Sequence, residues 1–254
     1  MGDSSPTISF CTTCHNRLYQ LKSVFDANAA AIARNSDTDW TILNFNSEDN
    51  IDDFMFSKLR SCPPTVHYVT EASGRPWHLS VAKNIAHRLA TGSVLVNLDC
   101  DNLIGDAIDV VRRFFDQGCK ILHMWSGIHR DGTCGRIAVA KDVFYKLQGY
   151  DESFLPMGFQ DLDFLARASG SGFAILRHRC SGDLALKNEK SESVRFCSPN
   201  GELWEDFDRV NRQKSAANLA AKRFTAANRW EPIKIHRFRD GLAAVNNGSK
   251  RPFM

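Results

Sequence analysis

Two carboxylates separated by a single residue follow one of the most apolar stretches of the chain. Asp99 and Asp101 come directly after residues 94–98, which are predicted to form a buried strand. Two negative charges on one short turn repel each other and are costly to desolvate unless a cation lies between them. Carboxylate oxygens in a partly hydrated site suit Mg²⁺ or Mn²⁺. The spacing therefore predicts a divalent-cation site, and the alternative is a pair of helix-capping residues.

A second acidic segment lies further along the chain. Residues 149–154 (GYDESF) and 158–164 (GFQDLDF) begin with glycine and are rich in aromatic residues, and the second run opens a predicted helix. Asp161 and Asp163 in the first turn of that helix are favoured by its dipole, which alone explains them. The chemical alternative is that Asp161 faces a pocket and removes a proton from an acceptor hydroxyl.

The elements that would position these residues alternate along the first 105 residues. Strands are predicted over residues 7–12, 40–45, 66–70 and 94–98, and helices over 18–34, 51–60 and 79–90. Strands separated by helices are typical of βαβ units in an α/β sheet. Ligands of such sheets bind beyond the carboxyl ends of the strands, which is where Asp99 and Asp101 are expected.

Beyond residue 105 the regular alternation ends. Helices are predicted over residues 107–117, 142–147, 161–169 and 206–227, and strands over 120–124, 136–140 and 173–176. No element is predicted after Trp230.

Positive charge is concentrated towards the C-terminal end. The 254 residues carry a net charge of +3, whereas residues 209–254 hold eleven Lys or Arg and two Asp or Glu, a local charge of +9. A basic segment on an acidic body indicates an acidic partner, which would be nucleic acid, anionic lipid or a phosphorylated acceptor. The alternative is a solvated basic helix followed by a tail.

Composition and cysteine usage limit the class of protein. With 43% hydrophobic residues and 17 Phe, the chain can bury a core and does not belong to the disordered class. No stretch approaches the ~20 apolar residues of a membrane span. No export signal is recognised, so the eight cysteines are expected to be reduced thiols of a cytoplasmic protein. Residues 11–15 (CTTCH) match the C-x-x-C-H haem-attachment pattern, but Cys11 is interpreted as a buried residue at the end of the first strand, and Cys14 and His15 as part of the following loop.

The order of the acidic motifs resembles that of the GT-A glycosyltransferases. The D-x-D at residues 99–101, the GYDESF run and the GFQDLDF run are similar to motifs of family 2 enzymes and of the C-terminal catalytic region of β-1,4-galactosyltransferases. The resemblance covers roughly residues 7–190. It implies an α/β fold with a Rossmann-like, mostly parallel central sheet flanked by helices, and a C-terminal helical extension.

The resemblance also implies a domain organisation. A catalytic domain would occupy residues 1–205, with a donor-binding half at 1–105 and an acceptor and catalytic half at 106–205. Residues 206–254 would form a basic helical extension and tail.

The activity implied by the resemblance is glycosyl transfer. A nucleotide-diphosphate sugar, above all a UDP-sugar, would give its sugar to a hydroxyl of a saccharide or glycoconjugate, with inversion at the sugar carbon. Mn²⁺ or Mg²⁺ would be the cofactor. Asp161 corresponds to the catalytic base, Asp101 and His178 to the metal ligands, and Asp99 to a donor contact.

Further site residues are implied in the same way. The donor or nucleotide contacts would be Thr12, Thr13, Asn16, Arg17, Asn44, Asn46, Lys83, Asp99 and Asp101. The acceptor or sugar contacts would be Trp77, Met157, Gly158 and Gln160. The chain departs from the family at Gln160, where Glu is usual, and at Met157, where the galactosyltransferases have Trp.

Two other functions fit the same sequence. One is a glycosyltransferase acting on a hydroxylated base in nucleic acid, whose phosphates would be bound by Lys222, Arg223, Arg229, Lys234, Arg237 and Arg239. The other is a non-catalytic nucleotide- or carbohydrate-binding module, which the departures at Gln160 and Met157 favour.

Overall fold

Four parallel strands form the centre of one large sheet. The computed structural model describes residues 5–198, 200–239 and 242–246. The central strands are β1 (Ile8–Cys14), β2 (Thr38–Asn44), β3 (Val66–Glu71) and β4 (Val94–Asn97), in the spatial order β4-β1-β2-β3. Helices α1 (Leu18–Ala33), α2 (Ile51–Leu59) and α3 (Leu79–Leu89) connect them. The predicted alternation of strands and helices in this half of the chain is confirmed.

Three shorter strands extend the sheet beyond β4. They are β5 (Ile121–Met124), β6 (Ile137–Ala140) and β7 (Leu176–His178), and they follow β4 in the order β6-β5-β7. Strand β6 is antiparallel to both of its neighbours, whereas β7 is parallel to β5. The helices of this region are α4 (Ala107–Asp116), α5 (Lys141–Lys146) and α6 (Gln160–Gly170). The strand predicted over 173–176 begins later than expected, because Phe173 and Ile175 pack against the core from a loop.

The C-terminal region contains the predicted long helix, which ends at Ala220 and not at residue 227, and two strands that the sequence did not predict. After a short 3₁₀ turn (Gly182–Leu184) and α7 (Lys190–Val194) come α8 (Trp204–Ala220), β8 (Ile235–Arg239) and β9 (Leu242–Asn246). Strand β8 pairs antiparallel with β3, so the described sheet has nine strands and is mixed, with its parallel pairs concentrated at the centre. Only Ile235 and Phe238 are apolar in β8, so the segment lacks the two-residue periodicity of a strand, and no element is predicted there from the sequence.

Apolar layers cover both faces of the sheet. Helices α1, α2 and α4 pack on one face, around Phe25, Trp40 and Val111. Helices α3, α5 and α6 pack on the other face, around Phe144 and Phe164. The predicted α/β fold with flanking helices is confirmed. None of the described helices is both long and apolar enough to cross a membrane.

Cysteine chemistry plays no part in holding the fold together. The eight cysteines, all within the described residues, form no disulfide. Cys11 is buried in β1 as expected, whereas Cys14, expected in the following loop, is the buried last residue of the strand. The Nδ1 of His15 lies 2.6 Å from the carbonyl oxygen of Phe45.

A buried ion pair fixes α6 against the loop before it. Arg167 and Asp163 are both inaccessible to solvent, and Arg167 Nε donates to Asp163 Oδ2 over 2.7 Å. The two terminal nitrogens of Arg167 donate to the carbonyl oxygens of Leu147 (3.0 Å) and Gly149 (2.7 Å). These contacts join the start of the GYDESF run to the helix that carries Asp161.

Removing Arg167 is expected to destabilise the protein strongly. Arg167→Met leaves the Asp163 carboxylate buried without its partner, which typically costs about 3–5 kcal/mol. Arg212→Met is the matched control, because Arg212 also pairs with an aspartate four residues earlier but is 59% exposed, and exposed pairs contribute up to about 1 kcal/mol. Urea unfolding of both variants measures the difference, and equal losses would contradict the role given to the buried pair.

Candidate active site

The carboxyl ends of β1 and β4 open into a cavity of about 240 Å³. Most residues predicted to act at a site lie in its wall: Thr13, Arg17, Trp77, Lys83, Asp99, Asp101, Met157, Gly158, Gln160 and Asp161. Residues more than 140 positions apart in the chain are therefore brought to one place.

Asp99 and Asp161 converge on Gly135, just before β6. A Cβ atom added at Gly135 would lie 2.6 Å from Asp99 Oδ2 and 3.2 Å from Asp161 Oδ2. Asn97 Nδ2 donates to Asp99 Oδ1 (3.0 Å) and to the carbonyl oxygen of Gly135 (2.9 Å), which fixes the first carboxylate. The absence of a side chain at Gly135 is what allows the two carboxylates to approach each other.

The ammonium group of Lys83 contacts both of these carboxylates. Its side chain is 1% exposed, and Nζ lies 2.7 Å from Asp161 Oδ1 and 3.5 Å from Asp99 Oδ1. Burial lowers the pKa of Lys83, but the charges of Asp161 and Asp99 outweigh that effect, so the pKa lies above its ordinary value. Lys83 is therefore an ammonium ion paired inside the protein.

Asp101 is the most buried of the three carboxylates. Its Oδ1 accepts a hydrogen bond from Asn102 Nδ2 over 2.7 Å. Burial, together with the charge of Asp99, raises the pKa of Asp101 to about 6, while the bond from Asn102 opposes the shift. Two neighbouring carboxylates suit a divalent cation such as Mg²⁺. This ion commonly binds one or two protein carboxylates and takes its other ligands from substrate phosphates and water. Asp99 and Asp101 thus fit the predicted metal.

His178 does not lie in the wall of this cavity. It is on β7, where its Nε2 is 3.8 Å from Asp106 Oδ2 and its ring contacts Phe114. Within the described residues, no group of three or more His, Cys, Asp and Glu side chains could hold a metal ion. The expected pairing of His178 with Asp101 is not formed, because β7 directs His178 towards α4.

Four of the predicted donor residues are not among the residues that line the cavity: Thr12, Asn16, Asn44 and Asn46. Thr12 Oγ1 donates to the carbonyl oxygen of Leu98 over 2.7 Å, which joins the ends of β1 and β4. Asn46 Nδ2 donates to the carbonyl oxygen of Arg75 over 2.8 Å and so holds the loop that carries Trp77. The structure gives these side chains partners within the fold.

Aromatic rings form one side of the cavity. His15 and Trp77 are stacked, with ring centroids 5.2 Å apart and an angle of 5° between the planes, and Phe196 meets His15 edge-on at 5.3 Å. Burial lowers the pKa of His15, and its Nδ1 faces a carbonyl oxygen. A neutral imidazole stacked on an indole presents a flat apolar surface to a base or a sugar ring.

The fold is shared with solved glycosyltransferase structures. The mannosyltransferase PcManGT from Pyrobaculum calidifontis, in complex with GDP-Man and Mn²⁺, superposes with a TM-score of 0.57 at 15% identity, covering 86% of this chain and 75% of that one. Residues 1–349 of S. aureus TarS give 0.57 at 11% identity, with coverages of 86% and 88%. The catalytic domain of Drosophila β1,4-galactosyltransferase 7, in complex with xylobiose, gives 0.53 at 12% identity, with coverages of 80% and 79%.

The chain has the GT-A fold. No protein-family model and no curated protein matches its sequence, so the similarity lies in the arrangement of the backbone. At 10–15% identity, the likeness to these structures establishes the fold alone.

Helix α8 closes this GT-A cavity on the side of residues 157–159. Asn211 is fully buried, and its Nδ2 donates to the carbonyl oxygens of Met157 (3.0 Å) and Gly158 (2.8 Å). Gly158 has a φ of +89°, and a Cβ there would be 2.9 Å from the Cα of Asp208. The helix and the loop are thus in direct backbone contact, while the predicted division of the chain after residue 205 remains a prediction.

Several wall residues were missed by the sequence analysis. They come from α8, α7 and the loop before β6, and include Trp204, Asp208, Arg212, Glu192, His129 and Arg130. The first three are spaced by four residues and therefore share one helix face, a periodicity that could have identified them. The loop residues have no such signal.

Two of the predicted acceptor residues already have partners. Gln160 is buried, and its Nε2 donates to the carbonyl oxygen of Leu155 over 3.0 Å. Met157 Sδ lies 3.4 Å from Trp77 Nε1. Both residues shape the wall beside Asp161.

His87 lies one helical turn after Lys83 and supports it from the core. Its ring stacks on Phe144 with centroids 5.0 Å apart, and its Nδ1 lies 2.7 Å from the carbonyl oxygen of Lys83. Burial lowers the pKa of His87 to about 3, and the charge of Lys83 adds to the effect. The folded protein therefore keeps this imidazole neutral.

This burial predicts a pH dependence of stability. The unfolded chain protonates His87 below about pH 6.5, whereas the folded chain does not until about pH 3. The unfolding free energy should therefore fall as the pH drops from 6.5 towards 3, with His87 contributing up to about 1.4 kcal/mol per pH unit. Urea unfolding between pH 7 and pH 4 should show a shallower dependence for His87→Phe than for wild type, and identical slopes would contradict this assignment.

Proposed function

We propose that the chain is a metal-dependent glycosyltransferase that moves a sugar from a nucleotide-diphosphate sugar to an acceptor hydroxyl. The observation that supports this most is the convergence of Asp99, Asp101 and Asp161 on one cavity of a GT-A fold. Two carboxylates come from the end of a central strand and the third from the first turn of α6. Asp99 and Asp101 would form a charged donor site, and Asp161 would supply a base.

The donor is proposed to lie between the carboxyl ends of β1 and β4. Thr13 and Arg17 lie on one side of this part of the wall, and Asp99 and Asp101 lie on the other. PcManGT was solved with GDP-Man and Mn²⁺, and a variant of the Drosophila galactosyltransferase with manganese, UDP-Gal and xylobiose. By analogy we assign a UDP-sugar as donor and Mn²⁺ or Mg²⁺ as cofactor, held by Asp99 and Asp101. The ion would neutralise the negative charge that develops on the leaving diphosphate.

Asp161 is proposed to act as the general base. Its Oδ1 is bound by Lys83, and its Oδ2 lies towards Gly135 and the cavity. As the acceptor oxygen attacks the anomeric carbon, the bond to the diphosphate breaks and the hydroxyl proton passes to Asp161. A direct displacement of this kind inverts the configuration at that carbon. Positioning of the reactants and electrostatic stabilisation supply the rest of the acceleration.

The acceptor is proposed to be a saccharide or glycoconjugate, bound beside Trp77, Met157, Gly158 and Gln160. Trp77 lines the cavity with a ring on which a sugar can stack. A nucleic-acid acceptor gains no support from the structures compared, and part of the basic segment, including Lys250 and Arg251, lies outside the described residues. We therefore do not carry that alternative further.

A panel of nucleotide sugars tests the proposal directly. The chain is incubated with UDP- and GDP-linked sugars and Mn²⁺, with and without saccharide acceptors, and release of the nucleoside diphosphate is measured. Acceptor-stimulated release from one donor class would support the transferase and identify the donor. Binding of a nucleotide sugar without any release would instead support the non-catalytic module.

Replacing the proposed base should abolish transfer while donor binding is retained. Asp161→Asn keeps the shape of the side chain but cannot accept the proton, and base catalysis contributes about 10²–10⁴-fold to such rates. We expect a loss of kcat in that range and an unchanged calorimetric donor affinity. Asp142→Asn, at an exposed aspartate outside the cavity wall, is the control. Wild-type turnover in Asp161→Asn would contradict the base assignment.

Replacing the proposed metal ligand should remove the metal dependence of donor binding. Calorimetry with and without Mn²⁺ is expected to show tighter donor binding with the metal for wild type, and equal binding under the two conditions for Asp101→Asn. His178→Ala provides the second arm, and it should retain the metal dependence because His178 lies away from the cavity. Loss of the dependence in His178→Ala alone would reverse the assignment.

A further inference from the structure

The two oxygens of Asp161 have different surroundings. Oδ1 accepts a hydrogen bond from Lys83 Nζ over 2.7 Å, whereas Oδ2 lies on the side of Gly135, 3.2 Å from where a Cβ would be. The carboxylate plane is therefore held by one contact on one oxygen. The other oxygen remains directed towards the site where Asp99 also converges.

We propose that Lys83 is a positioning residue that anchors one oxygen of Asp161 and leaves the other to take the acceptor proton. This inference rests on the proposed function of Asp161. Lys83 does not touch the reacting atoms. It acts through the carboxylate that it holds.

The charged end of Lys83 is enclosed by acidic and aromatic side chains, although the residue forms part of the cavity wall. Besides its contact with Asp161, Nζ is 3.5 Å from Asp99 Oδ1 and lies over the ring of Tyr150, 5.3 Å from its centroid. The resemblance to GT-A enzymes implies instead that this lysine contacts the donor. A side chain that is 1% exposed and bounded by two carboxylates and a ring face has little access to a diphosphate.

The backbone that carries Lys83 is fixed against the segment that leads to Asp161. The next residue, Asn84, is buried, and it both accepts from the amide of Tyr150 and donates to its carbonyl oxygen, each over 2.8 Å. Gly149 leaves room for this, because a Cβ there would lie 2.3 Å from Asn84 Oδ1. Since Arg167 on α6 binds the carbonyl oxygen of Gly149, helices α3 and α6 share one rigid connection.

In this arrangement one oxygen of the Asp161 carboxylate holds the side chain in place, and the other is available to take the proton. A buried ammonium beside Oδ1 holds that oxygen by a hydrogen bond and fixes the orientation of the carboxylate. The proton is then taken by Oδ2, while the lysine keeps its own proton throughout the step. Without the ammonium, the carboxylate can rotate, and a misplacement of ~1 Å at a reacting group costs on the order of 10²-fold in rate.

The test uses the full chain and the donor found with the panel of nucleotide sugars. Lys83→Met and Lys83→Gln should each lower kcat by about 100-fold, with the donor KM and the calorimetric donor affinity unchanged. Lys83→Arg keeps the charge and should recover part of kcat. Lys58→Met is the matched control and should behave as wild type, because Lys58 also pairs with an aspartate, Asp26, over 2.6 Å but lies outside the cavity wall.

A double variant determines whether Lys83 acts through Asp161. Lys83→Met combined with Asp161→Asn should be no slower than Asp161→Asn alone, since both changes remove the same function. If the kcat losses of the two single variants multiply in the double variant, the proposal is overturned. A weakened donor affinity in Lys83→Met would also overturn it, because that result would place the ammonium on the diphosphate. If Lys83→Met does not fold, as judged by its unfolding transition, Lys83→Gln takes its place in the same comparison.

The outcomes also separate this inference from the proposed function. A wild-type chain that transfers no sugar from any donor overturns both. A wild-type chain that transfers sugar, with Lys83→Met and Lys83→Gln at the wild-type kcat, overturns only the role of Lys83.

Discussion

A single buried ammonium compensates the negative charge on which the whole site depends. Asp99 and Asp161 approach each other closely over a glycine, and such an approach is unfavourable in a partly desolvated setting unless a positive charge lies beside both. Lys83 supplies that charge from within α3. Asp99, Asp161 and Lys83 form a charged triad, and a different element positions each of them. Asp99 follows β4, Asp161 lies on α6, and Lys83 lies on α3.

Buried polar groups that each make several hydrogen bonds support this triad. Asn84 joins α3 to the GYDESF run, and Arg167 joins the same run to α6. Asn97, the last residue of β4, donates a hydrogen bond to Asp99 and fixes its carboxylate. Groups of this kind are costly to bury without partners, so each one restricts its neighbours to a single arrangement. The site is rigid because hydrogen bonds join the segments around it to one another as well as to the sheet.

Much of the fold and of the site was predictable from the sequence, for identifiable reasons. The strands and helices of the first half have clear apolar periodicity, so the sequence alone places Asp99 and Asp101 directly after a strand end. His178 could not be placed, because the direction of a short edge strand depends on tertiary packing. Strand β8 has only two apolar residues and was hidden among basic ones. Helix α8 was predicted, but its role in the cavity wall depends on Asn211 and Gly158, whose contacts span more than 50 residues.

The docking of α8 has an evolutionary consequence. The wall next to Asp161 is completed by a helix that follows the βαβ half in sequence and contributes no strand to the core of the sheet. Substitutions on its inward face can therefore reshape the wall beside Asp161 while the strand ends next to Asp99 and Asp101 stay untouched. Under the proposed function, a scaffold divided in this way can diversify its acceptors without rebuilding its donor site.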